Sequence, residues 1–212
     1  MLGFTLSKFS LLILVVSIFG IVSFFTLHLT ESLKVKALTD LLADDSTIAS
    51  EMMSSPSYCD RLLIKIPEIV KLSTSELYYV MRISSQTTTV GDVAKTFLIF
   101  SAANKSKPEQ TIAASSSPTL ATVKFYSNKD YNPVDGIVLD PSARSTDPNS
   151  ADAFYLVKEV KVDAANDKAE VMLYVFPCAI SGGEQSTCQA ALAAVGAKVH
   201  STDPVKKFKC GD

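Results

Sequence analysis

Residues Phe9–Leu27, FSLLILVVSIFGIVSFFTL, contain no charged side chain, and only Ser10, Ser17, Ser23 and Thr26 break their apolar character. At about 1.5 Å per residue this run makes about 28 Å of helix, close to the roughly 30 Å hydrocarbon core of a bilayer. Serine and threonine hydroxyls can bond to carbonyls of their own helix, so they do not oppose insertion. A cleaved secretory signal has a shorter apolar core, about 7–15 residues, followed by an A-x-A-like site. Here His28-Leu29-Thr30-Glu31 follows and offers no such site. The segment is therefore expected to be retained.

Charge divides the chain at the same place. Of its 20 Lys and Arg only Lys8 precedes Glu31, and none of its 22 Asp and Glu does. An apolar leader thus precedes a mildly acidic body, and 212 residues suffice for one domain with an appendage. With 47% hydrophobic residues the chain is not disordered throughout, and its net charge of −2 excludes a basic nucleic-acid binder. No nucleic-acid partner is expected.

Beyond the run, Leu33, Ala37, Leu38, Leu41, Leu42, Ile48, Ala49 and Met52 recur at steps of three and four, one face of an amphipathic helix. No proline occurs before Pro56. The pattern predicts one long helix over residues 4–55, closed by Ser54-Ser55-Pro56-Ser57. Its first half needs lipid or other helices on every side, and its second half needs a globular domain on one side.

Gly3-Phe4-Thr5-Leu6 followed by the apolar run Phe9–Leu27 resembles the processing site and helix of a type IV pilin. Lys8 stands at the fifth position after Gly3, where the bacterial pattern has Glu, so the nearer likeness is to archaeal pilin-like proteins. The resemblance covers about the first 53 residues and implies three things. Residues 1–3 form a leader that a membrane peptidase removes between Gly3 and Phe4. The helix then leaves the membrane for a homo-oligomeric helical filament, with the help of assembly machinery. Phe9, Leu12, Val16, Phe19, Gly20, Ser23 and Phe24 lie in the filament core. The expected location is the cell surface, anchored in the membrane before assembly. A single-pass anchored binding or adhesion module, and a minor pseudopilin of a secretion machine, are the alternatives.

From Arg61 the period changes to two. Strands are expected at residues 61–66, 77–83, 96–100, 120–126, 154–162 and 169–176, the last two as a hairpin around Asp163–Lys168. Residues 104–118 and 128–150 read as polar loops, and residues 184–195 as a short Ala-rich helix stopped by Gly196. The fold class is α+β. A long N-terminal hydrophobic helix precedes an extracellular, mainly antiparallel, sandwich-like β domain over residues 59–212, which carries the short C-terminal helix.

The four cysteines, Cys59, Cys178, Cys188 and Cys210, all follow the apolar helix, and their even number fits an oxidising compartment. Four separated cysteines could also close a zinc site, although such sites usually come as close pairs. Of three complete disulfide pairings, Cys178–Cys188 with Cys59–Cys210 is expected. Catalytic equipment is sparse. Neither His28 nor His200 belongs to a recognisable motif, and no G-x-S-x-G, H-E-x-x-H or phosphate-binding glycine loop occurs. No enzyme activity, cofactor or metal is expected. Asp130–Gly136 has oxygen donors without the spacing of a calcium loop and reads as a solvated turn. Asn104-Lys105-Ser106 is a glycosylation sequon in an expected surface loop.

Overall fold

The computed structural model describes residues 2–72, 75–90, 93–128, 130–143, 147, 149–163, 168–180 and 185–201. Helix α1 runs without interruption from Leu2 to Ser54, 53 residues and about 80 Å. Threonine hydroxyls do return to the helix: Thr26 donates to the Val22 carbonyl at 2.8 Å and Thr30 to that of Thr26 at 2.9 Å. The buried stripe of its second half is Leu38, Leu42, Asp45, Ser46, Ala49 and Met52. Leu33 and Ile48, expected in that stripe, are exposed, while Asp45 and Ser46 occupy it. The domain touches a narrower strip of the helix than the apolar spacing suggested, and that strip includes polar positions.

The β region opens with β1 (Cys59–Lys65) and the short pair β2 (Val70–Lys71) and β3 (Glu76–Leu77). A long hairpin follows, β4 (Tyr79–Val90) with β5 (Val93–Asn104), in register from Tyr79↔Asn104 to Val90↔Val93. Next come β6 (Thr111–Thr119), β7 (Thr122–Tyr126), β8 (Pro133–Val134) and β9 (Gly136–Leu139). The expected hairpin forms from β10 (Ala153–Asp163) and β11 (Lys168–Cys178). Four strands join in the order β6-β5-β4-β9 and five in the order β1-β10-β11-β7-β8. Among the described residues all pairings are antiparallel except β11 with β7.

The two sheets and the helix enclose one core. Met81, Ile83, Leu98 and Phe100 of the four-stranded sheet pack with Phe154, Leu156, Leu173 and Val175 of the five-stranded sheet and with Leu38 and Leu42 of α1. The Phe100 and Phe154 rings meet across the sheets at 6.2 Å between centroids. The second half of α1 packs chiefly on β6 and β5 and also touches β1 and β10, closing one side of the sandwich. On the other side β9 approaches β7 and β11.

The opposite face of the five-stranded sheet is covered by α2 (Gln185–Ser201). Cys188, Ala191, Val195 and Val199 form its buried stripe against Val157, Met172, Tyr174 and Phe176. A sheet covered on both faces explains why Leu156-Val157 and Leu173–Phe176 are buried without alternation.

Three expectations need correction. The segment 104–118, read as a loop, supplies β6, because its Ala and Ser residues make a small-residue face that lets α1 approach. Ala113 and Ser117 are buried there. Pro118 is tolerated because β6 is an edge strand. The loop 128–150 likewise contains β8 and β9. A Cβ on Gly136 would meet the Ile83 carbonyl oxygen at 2.9 Å, so a glycine permits β9 to pair with β4. Finally, α2 does not stop at Gly196. Burial of Val199 on the same stripe outweighs the roughly 1 kcal/mol cost of an internal glycine.

Candidate assembly surface and its supports

The first half of α1 has no protein neighbour among the described residues. Phe9 is 68% exposed, Val16 63% and Leu27 69%, and the other large side chains between them are exposed on every face. Leu12, Phe19 and Phe24 lie among them. An added Cβ on Gly20 would meet nothing within 4 Å. At Gly20 and Ser23 the small side chains leave shallow places on an otherwise bulky rod, the kind that lets helices approach closely. Phe24 packs edge-on against His28, with centroids 4.6 Å apart. This helix is long and apolar enough to cross a membrane. Gly3 and Phe4 lie within α1, while the side chains of residues 2–8 and all of Met1 lie outside the described residues.

The end of the helix is held by a buried lysine. Lys158 lies on the inward face of β10 in line with Phe154 and Leu156, and is 3% exposed. Its ammonium donates to the carbonyls of Met52 at 3.4 Å, Met53 at 3.3 Å and Ser55 at 2.5 Å. These carbonyls close the helix, that of Met52 also accepting from the Ser55 N–H at 3.3 Å, and a cation here meets the negative end of the helix dipole. Sequence reading missed Lys158, although an ionic residue at an inward position of an alternating strand was a signal for it.

Asp45 was missed as well. Its Oδ2 is buried without a hydrogen-bond partner. Burial, and secondarily the neighbouring charge of Asp44, push its carboxyl pKa up to about 6. Tyr79 donates to the Pro67 carbonyl at 2.7 Å. Burial, with the Asp45 charge adding to it, holds the Tyr79 phenol well above its ordinary range.

Cys178 and Cys188 form a disulfide that fastens α2 to the end of β11. Cys59 is also disulfide-bonded. Cys210, its expected partner, lies outside the described residues. Asn104 closes β5 at the start of a turn in which Lys107 N–H donates to its carbonyl at 2.9 Å. Lys105 bridges to Asp140 at 2.9 Å and donates to Ser142 at 2.8 Å, tying this turn to the segment after β9. In the Asp130–Gly136 turn, the Lys198 ammonium donates to the Asp130 carbonyl and to Asn132 Oδ1, the latter at 2.7 Å. An ammonium thus occupies oxygens that a cation would need. Among the described residues no group of three or more His, Cys, Asp or Glu could hold a metal ion. The His200 side chain lies outside them.

No family model, curated protein or solved structure matches the chain.

Proposed function

We propose that this protein is the structural subunit of an extracellular type IV pilus-like filament, built through α1 and presenting the β domain as an adhesive surface. One observation carries the reading: the same continuous helix is embedded in a domain from Leu38 onward and bare on every face from Phe9 to Leu29. A helix apolar all round needs lipid or other helices as its surroundings. Lipid serves before assembly, and copies of the same helix serve in a filament. Inside the run the helical backbone bonds are internal and the Thr26 hydroxyl is already bonded to the Val22 carbonyl, so these groups ask for no partner in either setting. The Gly3-Phe4 step ahead of the apolar run supports processing by a membrane peptidase, leaving Phe4 as the first residue.

The long helix would then set the geometry. Its first half lies at the filament axis, and its second half, fixed by the domain, places both sheets outside. Shearing cells of the native host and sequencing the released material tests the proposal. It requires thin filaments that contain this chain with Phe4 as the N-terminal residue. The single-pass anchored module and the pseudopilin are the competing readings. They are supported by the match between Phe9–Leu27 and one bilayer thickness, and they predict that the chain stays with the cells.

A further inference from the structure

We propose that Asn104 is an N-glycosylation site and that the groove beside it seats the first sugar of the glycan. The inference rests on the reading that the body lies outside the membrane, and it does not require a filament.

The acceptor geometry is already set. Asn104 Oδ1 accepts from the Ser106 backbone N–H at 2.9 Å and from the Ser106 hydroxyl at 2.8 Å. A backbone N–H only donates, so the side-chain atom facing it must be the oxygen. This turns Nδ2 away from the turn. Among the interactions of Asn104, none engages that nitrogen. The sequon itself is pinned, because Lys105 N–H donates to the Tyr78 carbonyl at 3.1 Å. The sequon hydroxyl therefore makes a direct bond to the acceptor amide, and the reacting nitrogen stands uncommitted.

The surroundings suit a sugar. Asn104, Lys105 and Ser106 line an open groove of about 510 Å³ whose other walls include Thr30 and Lys34 of α1 and Tyr78. Tyr78 is 43% exposed, and its ring offers an apolar surface beside polar walls, the combination that a pyranose, with its apolar faces and polar rim, can use. Position favours the donor as well. Thr30 and Lys34 lie in the first turns beyond the apolar run. A sugar carried on a lipid phosphate or diphosphate is presented at the bilayer surface, the level at which these turns emerge. In the transfer, Asn104 Nδ2 bonds to the anomeric carbon and the bond from that carbon to the phosphate oxygen breaks. The lipid phosphate leaves with the electron pair, and a base of the membrane-bound glycosyltransferase takes one Nδ2 proton.

The test is mass spectrometry of the peptide containing Asn104, taken from full-length protein purified from its native host. A mass increment of one or more sugars on Asn104 is expected in the wild type and in Ser106→Thr. It should be lost in Asn104→Gln and in Ser106→Ala. An unmodified Asn104 in the wild type, or a sugar that persists in Ser106→Ala, overturns the assignment. The seat is tested by amine-reactive labelling of Lys34, which should rise several-fold in Asn104→Gln. Equal labelling of the glycosylated and unglycosylated proteins overturns the seat. Glycosylated protein that never enters filaments would remove the filament reading and keep this site. Filaments of unmodified protein would do the reverse.

Discussion

The ammonium of Lys158 lies 2.5 Å from the carbonyl oxygen of Ser55, so a side chain from the middle of the domain terminates the helix that leaves it. This contact joins residues 103 positions apart and fixes the direction in which the rod emerges. In the filament proposed above, the helix would transmit position from the core to the surface domain, which needs a rigid joint. Burial of Leu38, Leu42, Ala49 and Met52 supplies the packing, and Lys158 supplies the polar closure.

Lys158→Met is expected to destabilise the domain by about 1–3 kcal/mol, since the carbonyls of Met52, Met53 and Ser55 lose a donor where water has poor access. Methionine roughly preserves the stem, so the change isolates the charge. Denaturant titration of the two proteins in the same detergent is the check. An unchanged midpoint would mean that the cap contributes nothing.

Asp45 makes stability depend on pH in a direction opposite to that of an ion-paired carboxylate. Its pKa is raised from 3.8 to about 6, so between these values the folded state holds a proton that the unfolded state has released. Stability is therefore greatest below about pH 4, as far as this group is concerned. It falls as pH rises to about 6 and is flat beyond. Two pKa units correspond to about 3 kcal/mol at most. Asp45→Asn should flatten this part of the profile and raise stability at pH 7.5, as read from unfolding midpoints between pH 4 and 8. An identical slope in wild type and variant would show that burial does not perturb Asp45.

A fragment beginning at Thr30 should be a soluble, β-rich monomer, because the bare part of α1 is gone and the packed part is intact. A fragment beginning at Leu41 loses Leu38, which is fully buried in the core. By comparison with core truncations, it should be less stable by roughly 2–5 kcal/mol. Circular dichroism and thermal melting of the two fragments make the comparison. Equal melting temperatures would contradict the assigned boundary between rod and domain.

Reduction of Cys178–Cys188, or its replacement by Cys178→Ala with Cys188→Ala, should cost roughly 2–4 kcal/mol and loosen α2 first. Hydrogen exchange in residues 188–199 would report the loosening. Exchange that rises equally across β4 and β5 would instead indicate a loss of global stability alone.

Some of this was legible in the residues and some was not. An uncharged run such as Phe9–Leu27 leaves few alternatives to a long apolar helix, and strands dense in β-branched and aromatic residues, such as β10 and β11, declare themselves. The Cys178–Cys188 pair was also reachable from its position between a strand end and a helix. The strand β6 was not, because Ser115-Ser116-Ser117 has the composition of a loop. Only the helix lying over Ala113 and Ser117 explains why small polar residues suit a strand there. Burial of Asp45 was hidden for a related reason: helical spacing says which residues share a face, not how wide a strip the domain covers. The continuous burial of β11 required α2 on the far side of its sheet, a long-range fact with only local traces in the sequence.

The proposed filament stands or falls on Phe9–Leu27 packing against copies of itself. Counting filaments by electron microscopy in cells expressing Val16→Asp, with membrane levels matched to wild type, tests it most directly. Val16 lies near the middle of the run and is 63% exposed in the single chain. A carboxylate there costs roughly 2.5–3.5 kcal/mol on membrane-insertion scales. In a filament the cost recurs in every subunit, with like charges facing one another in a low-dielectric core. The domain, whose contacts begin further along α1, should fold as before. Few or no filaments are expected, with a normally folded domain. Val16→Asp filaments of normal abundance and length would contradict that packing.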